Sequence, residues 1–594
     1  MINERIAALR EQMQAHDLAA YIVLGTDPHQ SEYMAARWQS REWISGFDGS
    51  AGTVVITKDF AGLWTDGRYF IQAEEQLASS EMQLMKLSAT SNANHITWLA
   101  ENLSAGDKVG VARDLLTLAN AQYAQNHFQP SGVILTPMQD LLDVIWQDRP
   151  ASAGQQAFEH ELRYAGESRT DKIARIVQHM QQANLDYHLI TALDDLAWTL
   201  NIRGCDVDYN PVVTAYALIG LHDCHLFIAD NKLPDALRKN IEADGITIAD
   251  YDKLGHTLAH LAKGKRIGLD PNQASVAIKE QLATEVTVAH VSSIPANLKA
   301  CKNEIEAKHI RQSMEKDGVA MVRLFRWLEQ AMQTGTVTET DVQDQLHQIR
   351  AQQEGFVSDS FHAISAYGPH AAIAHYRATQ ASSITLEAKG LFLLDSGGQY
   401  YGGTTDITRT VAMGKLTEEE KQDYTLVLQG HIALASISFH EGATGGHLDI
   451  LARKAMWEKG IDYGHGTGHG VGFFLNVHEG PQGIAQGTRR SMHVALQPGM
   501  LTSNEPGIYR PGKHGIRIEN LILCKQAETT EFGTFLHFET VTLAPIDTRP
   551  IVTEMLSQAE KTWLNQYHQE VLQRLQPYLE KDEVTWLEEK CQAI

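Results

Sequence analysis

Asp395 closes the apolar run Leu391-Phe392-Leu393-Leu394, and four further polar residues stand in settings just as hard to explain as idle surface. Asp406 lies in TTDITRT, His469 in HGTGHGVG, Glu505 in SNEPG and Glu519 in GIRIEN, all within a stretch of 125 residues. Carboxylates at the ends of apolar strands repel one another and lose hydration unless cations neutralise them. Asp395 and Asp406 are 11 residues apart and Glu505 and Glu519 are 14 apart, so two hairpin-like pairs bring four carboxylates to neighbouring strands of one sheet. Opposed like charges on paired strands destabilise the sheet. The fold hosting this stretch therefore needs cations, and the make-up is that of a two-metal hydrolytic site. His465 and His469 are four apart, but Gly466-Thr467-Gly468 between them opposes a helix and no Glu follows His465, which disfavours a one-zinc HExxH motif. A loop or strand histidine is expected. Four carboxylates and one imidazole suit harder divalent ions, favouring two Mn²⁺ over Zn²⁺, with Co²⁺ as a surrogate.

At 594 residues the chain exceeds a single core, so three or four domains are expected. The formal net charge of −23 is opposite to that of a phosphate-tracking surface and argues against nucleic acid as a partner. Five scattered cysteines without a CxxC pair suit a reducing compartment. The N-terminal MINERIAALREQMQAHDL reads as a charged amphipathic helix without the apolar core of a leader. No stretch reaches the roughly 18 apolar residues of a membrane span. These features predict a cytoplasmic protein with no membrane partner.

The first half carries a weak internal repeat. Residues 5–24 align without a gap on 172–191, an offset of 167, matching Ile6 with Ile173, Ala7 with Ala174, Met13 with Met180 and Leu18 with Leu185. Both copies read as an amphipathic helix, a polar break and an apolar strand, followed by a second helical stretch at SEYMAARW and DDLAWTLNI. Two similar α/β domains in tandem are expected. RPASAGQQ marks a linker over 149–168, and a second boundary falls near Pro295. Beyond it, residues 302–332 read as a long helix with Ile305, Ile310, Met314, Val319, Val322 and Phe325 inward. From Ala388 the pattern turns to strands and Gly-rich turns: a hairpin carrying Asp395 and Asp406, two helices, and a strand pair carrying Glu505 and Glu519. The tail from about Pro550 reads as helical and packed on the outside.

The order LLDSG, TTDITRT, HGTGHGVG, NVHEGP, NEPG and GIRIEN resembles the M24 metallopeptidase family of methionine aminopeptidases, prolidases and aminopeptidases P. Within it the long, three-domain cytosolic Xaa-Pro aminopeptidases are the nearest group. Residues 29–72 and 192–212 resemble their first and second domains, so the likeness spans essentially the whole chain. It implies a mixed α+β fold: creatinase-like domains at 1–150 and 151–300, a pita-bread catalytic domain at 301–535, and a C-terminal helical extension at 536–594. It implies that Asp406 and Glu519 bridge two ions, that Asp395 holds one, and that His469 and Glu505 hold the other. His375, His478 and Arg68 would contact substrate, and YGPHAAIAHY departs from relatives at His370, where a smaller residue is common. Cleavage of the first residue from peptides with proline second is implied, as is a homodimer, for which the tail and the first domain are candidate surfaces.

On that footing Glu505 would accept the proton of the attacking water and pass it to the leaving nitrogen. His375, His465 and His478 would donate hydrogen bonds to the carbonyl oxygen, His465 being equally suited to steadying its glycine loop. A prolidase carries the same five ligands, usually with one N-terminal domain; the doubled N-terminal half favours the aminopeptidase. Pseudo-peptidases and creatinases lack the ligand set present here.

Overall fold

The structure, a computed structural model, describes residues 1–87, 94–151, 154–487 and 490–594. Two compact units result: residues 1–162 with 167–297, and residues 163–166 with 298–594.

In the first unit, helix α1 (Ile2–Ala15) buries Ile6, Leu9 and Met13 and leads into β1 (Ala20–Val23). That strand lies in a sheet with β2 (Thr53–Thr57), β3 (Ala61–Thr65), β4 (Gln83–Lys86), β5 (Lys108–Ala112) and β6 (Ile134–Met138), ordered β4-β3-β2-β1-β5-β6. Helix α2 (Arg169–Gln182), capped by the Ser168 side chain, leads in the same way into β7 (Tyr187–Ile190). With β8 (Ala215–Gly220), β9 (Cys224–Ile228), β10 (Thr247–Ala249), β11 (Arg266–Leu269) and β12 (Thr287–His290) it forms a sheet ordered β10-β9-β8-β7-β11-β12. Strand directions match as well: β1 runs antiparallel to β2 and parallel to β5, and β7 runs antiparallel to β8 and parallel to β11. The weak repeat in sequence is thus one sheet built twice.

Two local expectations change. SEYMAARW holds only a single 3-10 turn at Ala36–Trp38, and the helix follows it at Ser40–Ser45. The linker over 149–168 contains structure, since Phe158–Glu159 pairs with Ile202–Arg203.

In the second unit, α3 (Glu304–Thr334) starts at a capping box between Asn303 and Glu306, which satisfies amide groups the first turn would otherwise leave bare. Ile310, Met314, Val319, Val322 and Phe325 are buried, whereas Ile305, in the first turn and off that stripe, is 42% exposed. Helix α4 (Glu339–Arg350) follows. Strands β13 (Ile364–Tyr367), β14 (Leu391–Ser396) and β17 (Ile407–Ala412) form one antiparallel sheet, and the intervening β15 (Gly398–Tyr400) and β16 (Gly403–Thr404) fold off into another. The expected plain hairpin is therefore pinched where the chain passes itself. A Cβ on Gly397 would meet the Thr405 carbonyl at 1.9 Å, so only glycine admits the crossing.

The remaining elements are α5 (Glu418–Ala435), β18 (Ser438–His440), α6 (Gly445–Trp457), β19 (Gly468–His469) and β20 (Gly483–Ile484). They continue with β21 (Leu501–Asn504), β22 (Gly507–Arg510), β23 (His514–Arg517), β24 (Asn520–Thr530) and β25 (Gly533–Thr540). The tail forms α7 (Gln558–Leu575) and α8 (Lys581–Lys590), but it is more than an outer layer. Leu564, Tyr567, Val571, Leu575 and Leu587 are buried in a common core with Val319, Val322, Tyr424, Ile516 and Ile518. Each such aliphatic side chain contributes about 1.5–3 kcal/mol on burial. No described helix is long and apolar enough to cross a membrane.

Candidate metal centre

Each acidic residue sits where a strand ends or changes sheet. Asp395, on β14, lies opposite Thr408 of β17, so it does not face Asp406 directly. Asp406 occupies the step between β16 and β17, just past the pinch at Thr405. Strand β21 pairs with β24 as far as Asn504 and Asn520, while β22 pairs with β23 from Gly507 and Arg517 onward. Glu505 and Glu519 fall in the two gaps between these ladders, where the chain passes from one sheet to the other. Because ladder bonds are interrupted there, both side chains turn from the sheets toward the same space.

His469 is a strand residue, paired with Gly483 across β19 and β20. Its Nδ1 lies 2.9 Å from the Gly470 carbonyl, which can only accept, so Nδ1 carries a proton and Nε2 is the ring atom that faces the carboxylates. Nε2 is 3.5 Å from Asp406 Oδ2 and 3.6 Å from Glu505 Oε1. Asp406, His469 and Glu519 offer ligand atoms within 4.8 Å of one another. Asp395 stands beside that triplet: Arg517 takes its Oδ2, and Oδ1 is buried with no protein partner. Oxygen donors, an imidazole lone pair and an orphaned buried carboxylate oxygen fit divalent cations.

The electrostatics agree. Burial raises Asp395 to about 6 against the pull of Arg517. Burial, then Asp406, Asp395 and Glu505, push Glu519 well above the usual carboxylate range. Burial also lifts Glu505, opposed by His469 and Arg517. For His469 burial disfavours the charge, yet Asp406 and Glu505 outweigh it and raise the imidazole to about 9. Without ions, the cluster holds protons in their place.

Of the other predicted residues, His478 sets its ring edge-on to His469, centroids 4.4 Å apart at 85°. His465 bonds Tyr509 Oη through Nε2 at 2.8 Å and reaches the Gly466 carbonyl through Nδ1 at 2.7 Å. His375 is half-buried in the loop after the turn Gly368–Ala372, which packs so tightly on β23 that a Cβ on Gly515 would meet the Ala371 carbonyl at 1.7 Å. His370 has its own partners: Nδ1 is 2.9 Å from Glu339 Oε1, and the ring stacks on Tyr376 at 4.4 Å. Arg68 belongs to the first unit, where Asp66 holds it bidentately at 2.8 Å and it lies over the Tyr69 ring.

The residue reading passed over Arg517 and Tyr509. Arg517 donates to Asp395, to Thr408 Oγ1 at 3.1 Å and to Tyr509 Oη at 2.6 Å. Thr408 in turn donates to Glu519 Oε2 at 2.8 Å. A signal existed: Arg517 stands two residues before Glu519 in the alternating sequence Gly515-Ile516-Arg517-Ile518-Glu519, a spacing that reads as one face.

Comparison with known proteins matches four successive segments of the chain. Residues 308–526 match the model of metallopeptidase family M24, and residues 534–594 match the C-terminal region of that peptidase family. Residues 5–145 and 148–306 each match a creatinase/prolidase N-terminal domain. The chain is 40% identical over 606 residues to a protein of Laccaria bicolor named "Probable Xaa-Pro aminopeptidase P", covering 100% of this chain and 94% of that one. A protein of the same name from Fusarium vanettenii is 40% identical over 615 residues, covering 100% and 99%. Among solved structures, an X-prolyl aminopeptidase of Caenorhabditis elegans, described as a cytosolic enzyme with a di-nuclear active site, matches with TM-score 0.95 and 34% identity over 100% of both chains.

Proposed function

We infer, since this chain belongs to metallopeptidase family M24 and within it to the Xaa-Pro aminopeptidases P, that it is a dinuclear-metal exopeptidase cleaving the N-terminal Xaa-Pro bond. It releases the first residue from peptides with proline in the second position. The fold is a pita-bread catalytic domain preceded by two creatinase-like domains. The observation that carries the reading is the gathering of Asp406, His469 and Glu519 within 4.8 Å, with Glu505 against His469 and one oxygen of Asp395 unclaimed.

Asp395, Asp406, His469, Glu505 and Glu519 would hold the ions, with Asp406 and Glu519 placed at the centre of the set. Two divalent ions, when bound, lower the pKa of water and polarise a carbonyl. Glu505 takes the water's proton and carries it to the proline nitrogen, its Oε1 lying 3.6 Å from His469 at the edge of the ligand set. His478 and His375 donate to the carbonyl oxygen and hold the substrate; His465 acts at most through Tyr509. The proline nitrogen has no N–H to grip and its ring fixes φ, so recognition falls to shape, and the trans form is accepted.

Further parts of the reading are Mn²⁺ as the ion, a cytoplasmic location, domain limits at 150, 300 and 535, and a homodimer. Ile450 and Trp457, 51% and 41% exposed and seven apart on α6, favour a self-contact there over the tail, whose apolar side is already buried. The test is chelator-stripped enzyme assayed on an Xaa-Pro-Xaa tripeptide before and after adding Mn²⁺, Co²⁺ or Zn²⁺. Metal-restored release of the first residue is expected. Cleavage of Xaa-Pro dipeptides alone would make it a prolidase, and no release under any ion would end the reading.

A further inference from the structure

Behind the carboxylates lie two buried polar side chains that the chemistry above leaves unused. Arg409, on β17, is fully buried. Its Nη1 donates to the Glu519 carbonyl at 2.7 Å and to the Thr408 carbonyl at 2.9 Å. Its Nη2 donates to Asn520 Oδ1 at 2.8 Å, the Ala544 carbonyl at 2.8 Å and Tyr567 Oη at 2.9 Å, and Nε to the Pro545 carbonyl at 3.1 Å. All these acceptors are neutral. Taking a guanidinium out of water to meet neutral oxygens is costly, and a residue needed only for packing would not carry a charge there.

His431, on α5, is the second. Its Nδ1 lies 3.2 Å from the Asn504 carbonyl, and its Nε2 lies 3.2 Å from Asn520 Nδ2. A carbonyl only accepts and an amide N–H only donates, so the ring is neutral with its proton on Nδ1. Asn504 Nδ2 returns a bond to the His431 carbonyl at 2.9 Å. Asn504 and Asn520 face each other across β21 and β24, and each immediately precedes or follows a metal-ligand glutamate. One line of hydrogen bonds, Arg409–Asn520–His431–Asn504, therefore runs behind both Glu505 and Glu519. It fastens the backbone from which those side chains start.

The C-terminal extension backs that line. Trp563 of α7 stands edge-on to His431, centroids 5.9 Å apart at 73°, and stacks on Tyr567 at 5.4 Å and 8°. The Tyr567 hydroxyl accepts from Arg409 and reaches the Thr542 and Ala544 carbonyls at 3.0 and 2.9 Å. We propose that Arg409 and His431 are positioning residues for Glu519 and Glu505, and that helix α7, through Tyr567 and Trp563, is part of the scaffold of the metal centre. The proposal rests on the functional reading above.

The test uses the full chain as wild type, Tyr567→Phe, His431→Asn and His431→Gln. Mn²⁺ alone is titrated into each stripped protein against a competing chelator; kcat, KM and the melting temperature are measured separately. Tyr567→Phe and His431→Asn are expected to weaken Mn²⁺ binding about 10-fold and to lower kcat with KM unchanged. His431→Gln, whose amide oxygen can still accept from Asn520, is expected to recover most of the affinity. Tyr567→Phe removes a single oxygen from a ring held by stacking, so its fold survives. Melting temperatures that fall while Mn²⁺ affinity and kcat stay within about twofold of wild type would reduce both residues to core packing and overturn the proposal. A wild type that neither binds Mn²⁺ nor releases the first residue would overturn the functional reading itself, and the proposal with it.

Discussion

Arg517 divides the carboxylate of Asp395: Nη2 holds Oδ2 at 2.5 Å, while Oδ1 is left buried without a protein partner. The arginine is itself fixed by Thr408 and Tyr509, and Thr408 also holds Glu519. One cation thus orients ligands on two strands. A lysine is a point charge that cannot serve Asp395, Thr408 and Tyr509 together. Arg517→Lys is expected to lower kcat about 10–100-fold with the fold retained. Steady-state kinetics beside circular dichroism checks this, and unchanged kcat would reduce the arginine to a counter-charge.

Asp406 and Glu519 belong to the tight triplet with His469, whereas His478 stands outside that triplet, its ring edge-on to that of His469. Asp406→Ala or Glu519→Ala should therefore abolish activity and metal loading together. His478→Ala should slow turnover, by about 10²-fold or more if it donates to the carbonyl oxygen, with metal content kept. Elemental analysis of each purified variant decides. Full metal content in Asp406→Ala would overturn the ligand assignment.

How much of this was legible in the sequence depends on whether an interaction is local. The α1–β1 and α2–β7 units are written in short-range periodicity, and their offset carried over unchanged into two sheets of the same order. The five candidate ligands stood out only as an ensemble, since a lone strand-end Asp reads as a turn former and a lone strand Glu as solvent-facing. The pinch at Gly397 was not, since it depends on a contact with Thr405 that only the folded chain makes. Nor was the burial of the tail: Leu564 and Val571 show an ordinary amphipathic pattern, and only the core around Val319 and Ile516 reveals what they cover. His370 looked like a departure bearing on substrate. Its bonds to Glu339 and its stacking on Tyr376 give it structural partners that no local pattern announces.

Beside His478, the Glu479 carboxylate is clamped between two lysines, Lys299 Nζ at 2.8 Å and Lys302 Nζ at 2.6 Å, with all three side chains at most 2% exposed. Removing the carboxylate that both lysines contact takes a counter-charge from two buried ammonium groups at once. Glu479→Gln is expected to destabilise the protein by about 3–5 kcal/mol. Lys302→Met leaves one lysine to balance the carboxylate and should cost less. Denaturant titration with paired unfolding probes measures both, and equal losses would show that charge balance is not what holds this loop.

Protons and metal ions compete for the same atoms. In the metal-free protein His469 is raised to about 9, Asp395 to about 6, and Glu519 stands well above the usual carboxylate range. An ion binding the deprotonated set must expel those protons, so affinity should rise with pH and binding near pH 7 should release about one proton or more. Calorimetry in two buffers of different ionisation enthalpy reads that number directly, and a buffer-independent enthalpy would sink the prediction. Stability carries a matching sign. A histidine whose folded value lies above its ordinary 6.5 contributes stability that is fully present below 6.5 and lost as pH rises through about 9. The ionisation of Glu519, raised first by burial and then by its carboxylate neighbours, acts in the same direction as pH climbs toward its elevated folded value. The stripped protein should therefore lose stability between pH 6.5 and 9, a window absent from the Mn²⁺-loaded form, where the imidazole would be neutral and lack the second proton that titrates there. Melting temperatures of both forms across that range would show the difference, and parallel curves would mean that no ion takes the place of those protons.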